Sequence, residues 1–110
     1  MIPAPEPVAR QLDAYNRQDV ATFSAAYTDD VVLEDADKGV FVKGRPQLVE
    51  RYAKLFQDHP ENRARVLARS IVGPWVFEEE EVTRGGGTFR VLVVYKVRGE
   101  LIERATFYRS

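Results

Sequence analysis

At 110 residues the chain has the length of one domain, expected to span residues 1–110. Apolar residues at 45 % and charged residues at 30 % exclude a disordered segment. A net charge of −1, from 16 basic and 17 acidic residues, gives no pull toward nucleic acid or an anionic membrane. There is no cysteine, which excludes disulfides, thiolate nucleophiles and cysteine-based zinc sites and fits a cytoplasmic location.

The Pro-rich start, Met1 to Pro7, lacks the basic and apolar regions of a signal peptide. Val8, Leu12 and Tyr15 recur at i, i+4 and i+7, which predicts an amphipathic helix over about 7–17. Asp19 is placed to cap a second helix that carries Val20, Phe23 and Tyr27. Val31, Leu33 and Asp35 alternate, so a strand is predicted over about 30–36. Asp37-Lys38-Gly39 is turn chemistry, and Val40-Phe41-Val42 makes a second short strand. Pro46 opens the longest helix, about 45–58, with Leu48, Val49, Tyr52, Ala53, Leu55 and Phe56 as its buried stripe.

Pro60 stops that helix, and four strands follow: 62–72, 75–83, 88–97 and 100–109. The longest apolar run, Val91 to Tyr95, is far too short to cross a membrane as a helix. The order ααββαββββ, helices first and long strands last, indicates α+β rather than a doubly wound parallel sheet. Gly73-Pro74 as a two-residue turn sets Val72 opposite Trp75 and Arg69 opposite Glu78. One face then holds Ala64, Val66, Ala68, Ser70, Val72, Trp75 and Phe77 and reads as the inner one. The other holds Arg63, Arg65, Arg69, Glu78 and Glu80 and reads as a solvated face with cross-strand ion pairs.

Several segments carry a resemblance across about residues 7–109. They are Tyr15-Asn16-Arg17-Gln18-Asp19-Val20, Thr28 through Asp35, Gly44-Arg45-Pro46-Gln47-Leu48 with Tyr52 after it, and Gly99 through Glu103. Together they resemble the nuclear transport factor 2-like superfamily, which includes ketosteroid isomerases and SnoaL-type polyketide cyclases. The resemblance implies a cone: a curved antiparallel sheet wrapped around a long third helix, with a small-molecule pocket between them. It also implies a homodimer through the outer sheet face.

The resemblance to ketosteroid isomerases sets Asp35 at the position of the proton-shuttling aspartate. If Asp35 faces inward with Val31 and Leu33, an apolar pocket raises its pKa toward that of a general base. The competing reading makes Asp35 a solvated strand end leading into the turn. Tyr52 matches a supporting tyrosine. The two oxyanion donors of the isomerases fall on Gln11 and Val93, so true steroid isomerisation is not expected.

The same resemblance points Ile102, Arg104, Thr106 and Tyr108 inward beside Phe89, Val91, Val93 and Tyr95. Tyr15, Phe56, Trp75, Val93, Tyr95, Arg104 and Tyr108 are the expected ligand contacts, with Tyr15, Phe56 and Trp75 read alternatively as core side chains. Arg104 either favours an anionic ligand or packs only its stem. Glu78 to Glu81 reads mostly as a solvated face, with Glu79 at the pocket rim. His59, the one histidine, is read as a cap at a helix end, with a place at the pocket mouth as the alternative. No metal or cofactor is expected, because there is no Glu-x-x-His pattern and the glycine run at 85–87 lacks a following helix and lysine. Three functions remain open: an acid–base enzyme of the isomerase, cyclase, dehydratase or hydrolase type, a non-catalytic binder, and a dimerisation module.

Overall fold

The computed structural model describes residues 1–109. Its elements run α1 (Glu6–Arg17), α2 (Val20–Ala25), β1 (Tyr27–Asp35), β2 (Gly39–Lys43) and α3 (Arg45–Asp58), then β3 (Arg63–Val72), β4 (Trp75–Arg84), β5 (Gly87–Arg98) and β6 (Leu101–Arg109). This is the expected α+β order.

Local chemistry accounts for the helix boundaries. Gln18 takes a left-handed turn (φ 59°) and ends α1. Asp19 then caps α2, accepting from the Thr22 N–H at 3.1 Å and the Thr22 hydroxyl at 2.7 Å. Tyr27, expected on this helix, instead opens β1, because its backbone pairs with Ile102 of β6. Gly44 sits at φ +88° and donates its N–H to the Val31 carbonyl at 2.7 Å. Its positive φ turns the chain from β2 into α3, a geometry that disfavours side chains. On α3, Leu48 and Phe56 are buried, whereas Ala53, expected in the stripe, is exposed.

The six strands form one sheet in the order β2-β1-β6-β5-β4-β3. All neighbours are antiparallel except β1 and β6, which run parallel. The sheet is curved and unclosed. Helix α3 packs on β1 and β2, and α1 packs on β3 and β6, so the helices fill the concave side. Val8, Phe23, Leu33, Leu48, Val76 and Ile102 form the centre of the core, each no more than 1 % exposed.

The β3–β4 register is the expected one: Val72 faces Trp75 and Arg69 faces Glu78. The assignment of faces is corrected. A bulge between Val66 and Ala68 inserts one residue into β3 and reverses its alternation. Ala64 and Val66 point inward, but Ala68, Ser70 and Val72 point outward, and Trp75 and Phe77 go with them. The inner face of β4 carries Val76, Glu78, Glu80 and Val82, all buried. Arg69 and Glu78 thus form an internal ion pair at 2.6 Å rather than a surface one.

A second bulge has the same effect on β6. Val97 pairs with Ile102 but Lys96 pairs with Arg104, leaving Glu103 as the extra residue. Ile102, Ala105, Phe107 and Arg109 consequently share the inner face, and Arg104, Thr106 and Tyr108 the outer one. The inward placement of Arg104, Thr106 and Tyr108 is corrected on this ground.

Candidate functional site

A cavity of about 670 Å³ opens between the concave sheet face and helices α1 and α3. Such a volume falls within the range of small-molecule sites. The cavity exists because α3 does not seal its whole length against the sheet. Tyr52 and Leu55 are only half-buried, and both line the space. Aromatic rings make much of the wall. Phe23 and Tyr52 lie 4.7 Å apart between ring centroids, and Tyr15 meets Phe56 edge-on at 5.5 Å. Phe41 and Phe107 pack at 5.7 Å on the side of β2 and β6.

The structure distributes the expected contacts over three places. Tyr15, Tyr52 and Tyr95 line the cavity. Phe56 stands behind Tyr15 and Tyr52, and Val93 is fully buried beneath the wall; neither lines it. Trp75, Arg104 and Tyr108 lie on the outer sheet face. Lys96 stacks over the Trp75 ring at 5.3 Å, and Arg104 pairs with Glu34 at 2.6 Å. His59 ends α3, its N–H bonded to the Leu55 carbonyl, and it borders the cavity.

Asp35 has the inward parity read from its strand, opposite Phe107, but it does not line the cavity. Its carboxylate accepts the N–H groups of Asp37 and Lys38 at 2.9 and 3.0 Å and pairs with Arg109 at 3.1 Å. These backbone donors, with Arg109 beside them, hold its pKa below the ordinary carboxylate value. The expectation of a raised pKa is corrected: the turn that follows β1 stabilises the charged form.

The buried carboxyl in the wall is Glu80, which is 6 % exposed. Burial, then the adjacent Glu78, pushes its pKa up to about 8. Its Oε2 accepts the Tyr95 hydroxyl at 3.1 Å. Gln11 connects the rest: Nε2 donates to the Tyr95 hydroxyl at 3.1 Å and to the Val8 carbonyl at 3.2 Å, while Oε1 accepts from Tyr27 at 3.0 Å. Burial raises the pKa of both tyrosines, so they remain donors. On the far side, Oε2 of Glu78 takes the Arg69 guanidinium, while its buried Oε1 has no donor. This neighbouring carboxyl adds to burial in favouring the protonated form of Glu80.

Tyr52 supplies a hydroxyl at the cavity wall with no hydrogen-bond partner among the described residues, and burial keeps it protonated. No group of three His, Cys, Asp or Glu side chains among the described residues could hold a metal ion. Likewise, no described helix is long and apolar enough to cross a membrane.

The sequence reading set Glu80 on the solvated face, turned Phe89 inward without a ligand role, and gave none to Arg84, Phe107 or Arg109; all five line the cavity. A signal for the glutamates was present. Val76 and Val82 bracket Glu78 and Glu80 at period two, so four residues of one parity share the apolar face.

A curved sheet enclosing a pocket with three helices defines the nuclear transport factor 2-like, ketosteroid isomerase-like class of α+β domains. Within it, residues 8–105 match the model of the SnoaL-like domain, and the chain belongs to that family. The structure is similar to a cystatin-fold protein from Novosphingobium aromaticivorans, with 29 % identity, TM-score 0.90 and coverage of 99 % of this chain and 100 % of that one. It is also similar to an LEH-like epoxide hydrolase from M. tuberculosis, at 20 % identity and TM-score 0.85, covering 96 % of this chain and 81 % of that one. A third similar structure, a ketosteroid isomerase-like fold from Catenulispora acidiphila in complex with trimethylamine, shares 19 % identity at TM-score 0.83, with coverage of 98 % and 88 %. No curated protein matches the chain significantly.

Proposed function

We propose that the cavity binds a small, mostly apolar molecule and performs acid–base chemistry on it, with Glu80 in the role the sequence reading gave to Asp35. One observation carries this: the Glu80 carboxyl sits in the cavity wall, accepting the Tyr95 hydroxyl, and its burial beside a second carboxyl pushes its pKa up to about 8. At neutral pH such a group is mostly protonated, yet close enough to its pKa to give up a proton and take it back. Isomerisation, dehydration, epoxide opening and ring closure all need that step at a ligand oxygen or an adjacent carbon. Tyr52 is assigned to the same ligand oxygen as a neutral hydrogen-bond donor. Steroid isomerisation itself is not proposed, since Gln11 spends its amide on Tyr95 and Val8 and the Val93 position offers no donor.

The test is turnover of a panel of enolisable ketones, epoxides and polyketide-like esters by the wild type, Glu80→Gln and Asp35→Asn. Glu80→Gln is expected to lose about 100-fold or more, as removal of a general acid or base does. Asp35→Asn is expected to keep most of the activity. Equal rates for Glu80→Gln and wild type remove Glu80 from the chemistry. One observation favours a non-catalytic binder in the same cavity: the Gln11, Tyr27 and Tyr95 groups already satisfy one another. Binding without turnover by any panel member selects that reading.

We also propose a homodimer through the outer sheet face. Trp75, Leu92 and Tyr108 are 38 %, 40 % and 47 % exposed there, with Phe77 and Val94 between them across neighbouring strands. A contiguous apolar patch on one face suits a two-fold interface. Leu92→Glu is then expected to reduce the solution mass from that of a dimer to that of a monomer in light scattering. An unchanged mass counts against this interface.

A further inference from the structure

The charges along the cavity are unevenly matched. Lys54 pairs with Asp58 at 3.0 Å, and Arg109 pairs with Asp35 at 3.1 Å. Arg84 has no carboxylate within 4.0 Å among the described residues, although it is half-buried. Its partners are neutral. Nε donates to Asn62 Oδ1 at 2.8 Å, Nη2 donates to the Tyr15 hydroxyl at 3.3 Å, and the guanidinium lies 5.4 Å from the centre of the Phe89 ring. These contacts fix the plane of the group but use two of its five donors. Arg51 is the other cavity cation without a carboxylate partner, but it is exposed, next to Glu50 at the rim, and rests over Phe41.

A half-buried guanidinium without a counter-charge is costly, and an oriented one is suited to a planar, two-pronged anion. We propose that Arg84 anchors the carboxylate of the ligand, so that this cavity takes an amphipathic organic acid with an apolar body. The proposal rests on the reading of the cavity as a ligand site and adds the class of ligand. The strand sets the spacing. Arg84 and Glu80 share the inner parity of β4, four residues apart, which is about 13 Å along an extended strand. Val82, buried between them, gives the ligand's middle an apolar floor. A carboxylate on Arg84 thus leaves the opposite end of a medium-length ligand at the Glu80–Tyr95 end of the cavity.

Decanoate and decanol separate the charge from the apolar body. Isothermal titration at neutral pH is expected to show decanoate binding the wild type about tenfold or more tighter than decanol, the scale of a charge-assisted pair. In Arg84→Gln the two are expected to bind alike, with decanol at its wild-type affinity. Arg84→Lys, which keeps the charge but not the fork, is expected to weaken decanoate several-fold and leave decanol unchanged. Equal binding of both ligands to the wild type overturns the carboxylate assignment and leaves the cavity reading intact. A preference that survives in both Arg84 variants, or is lost in Arg51→Gln instead, also overturns it. If neither ligand binds the wild type, the cavity reading falls as well.

Discussion

Replacing Arg69 by methionine is expected to destabilise the protein by about 3–5 kcal/mol, the usual cost of stripping the partner from a buried charge. Glu78 is fully buried on the inner face of β4, and the Arg69 side chain beside it is 10 % exposed. Water cannot take over from the guanidinium there. The Arg69→Met, Glu78→Leu double variant is expected to recover most of that loss, since a packed apolar pair is close to neutral relative to a buried ion pair. Urea unfolding at one pH measures all three proteins. A single variant as stable as the wild type would mean that solvent reaches Glu78 and that the ion pair is not an internal one.

Glu80→Gln is expected to change how stability depends on pH, independently of any effect on turnover. In the folded protein the Glu80 pKa is raised from 4.5 to about 8. The native state therefore holds a proton between these values that the unfolded chain has released. The associated stability is complete below the unfolded value and is lost as pH rises through the folded one. The size is on the order of a few kcal/mol across that window. Glutamine has no proton to lose, so the variant is expected to stay comparatively flat as the wild type weakens. Thermal midpoints of the two proteins measured from acid to mildly alkaline pH supply the check. Parallel curves would count against a buried, protonated Glu80.

These predictions concern groups that the strand pattern alone assigned to the wrong side. Alternation is a counting rule, and each bulge adds one to the count. Leu67 and Glu103 are the extra residues in β3 and β6, and neither is a glycine or proline that would announce it. Past each bulge every side chain changes face. Arg69 enters the core, Trp75 and Tyr108 leave it, and Arg104 goes outward to Glu34. Asp35 shows a different limit. Its parity was legible, but its charge state depends on two backbone N–H groups of the turn and on Arg109, which is 74 residues away in the chain.

The sequence by itself determined the succession of elements, the Asp19 cap, the turn into α3 at Gly44 and the β3–β4 register set by Gly73-Pro74. These are local matters, settled by residues within a few positions of one another. The resemblance across the whole chain carried the fold and the family. Only the tertiary structure decided which carboxyl is held neutral and which is held charged. That choice depends on the desolvation and neighbouring charge each one meets, and bulged strands bring those neighbours together from distant parts of the chain. Glu80 lies buried beside Glu78 and Tyr95 in the cavity wall, whereas Asp35 lies beside a turn that favours its charge.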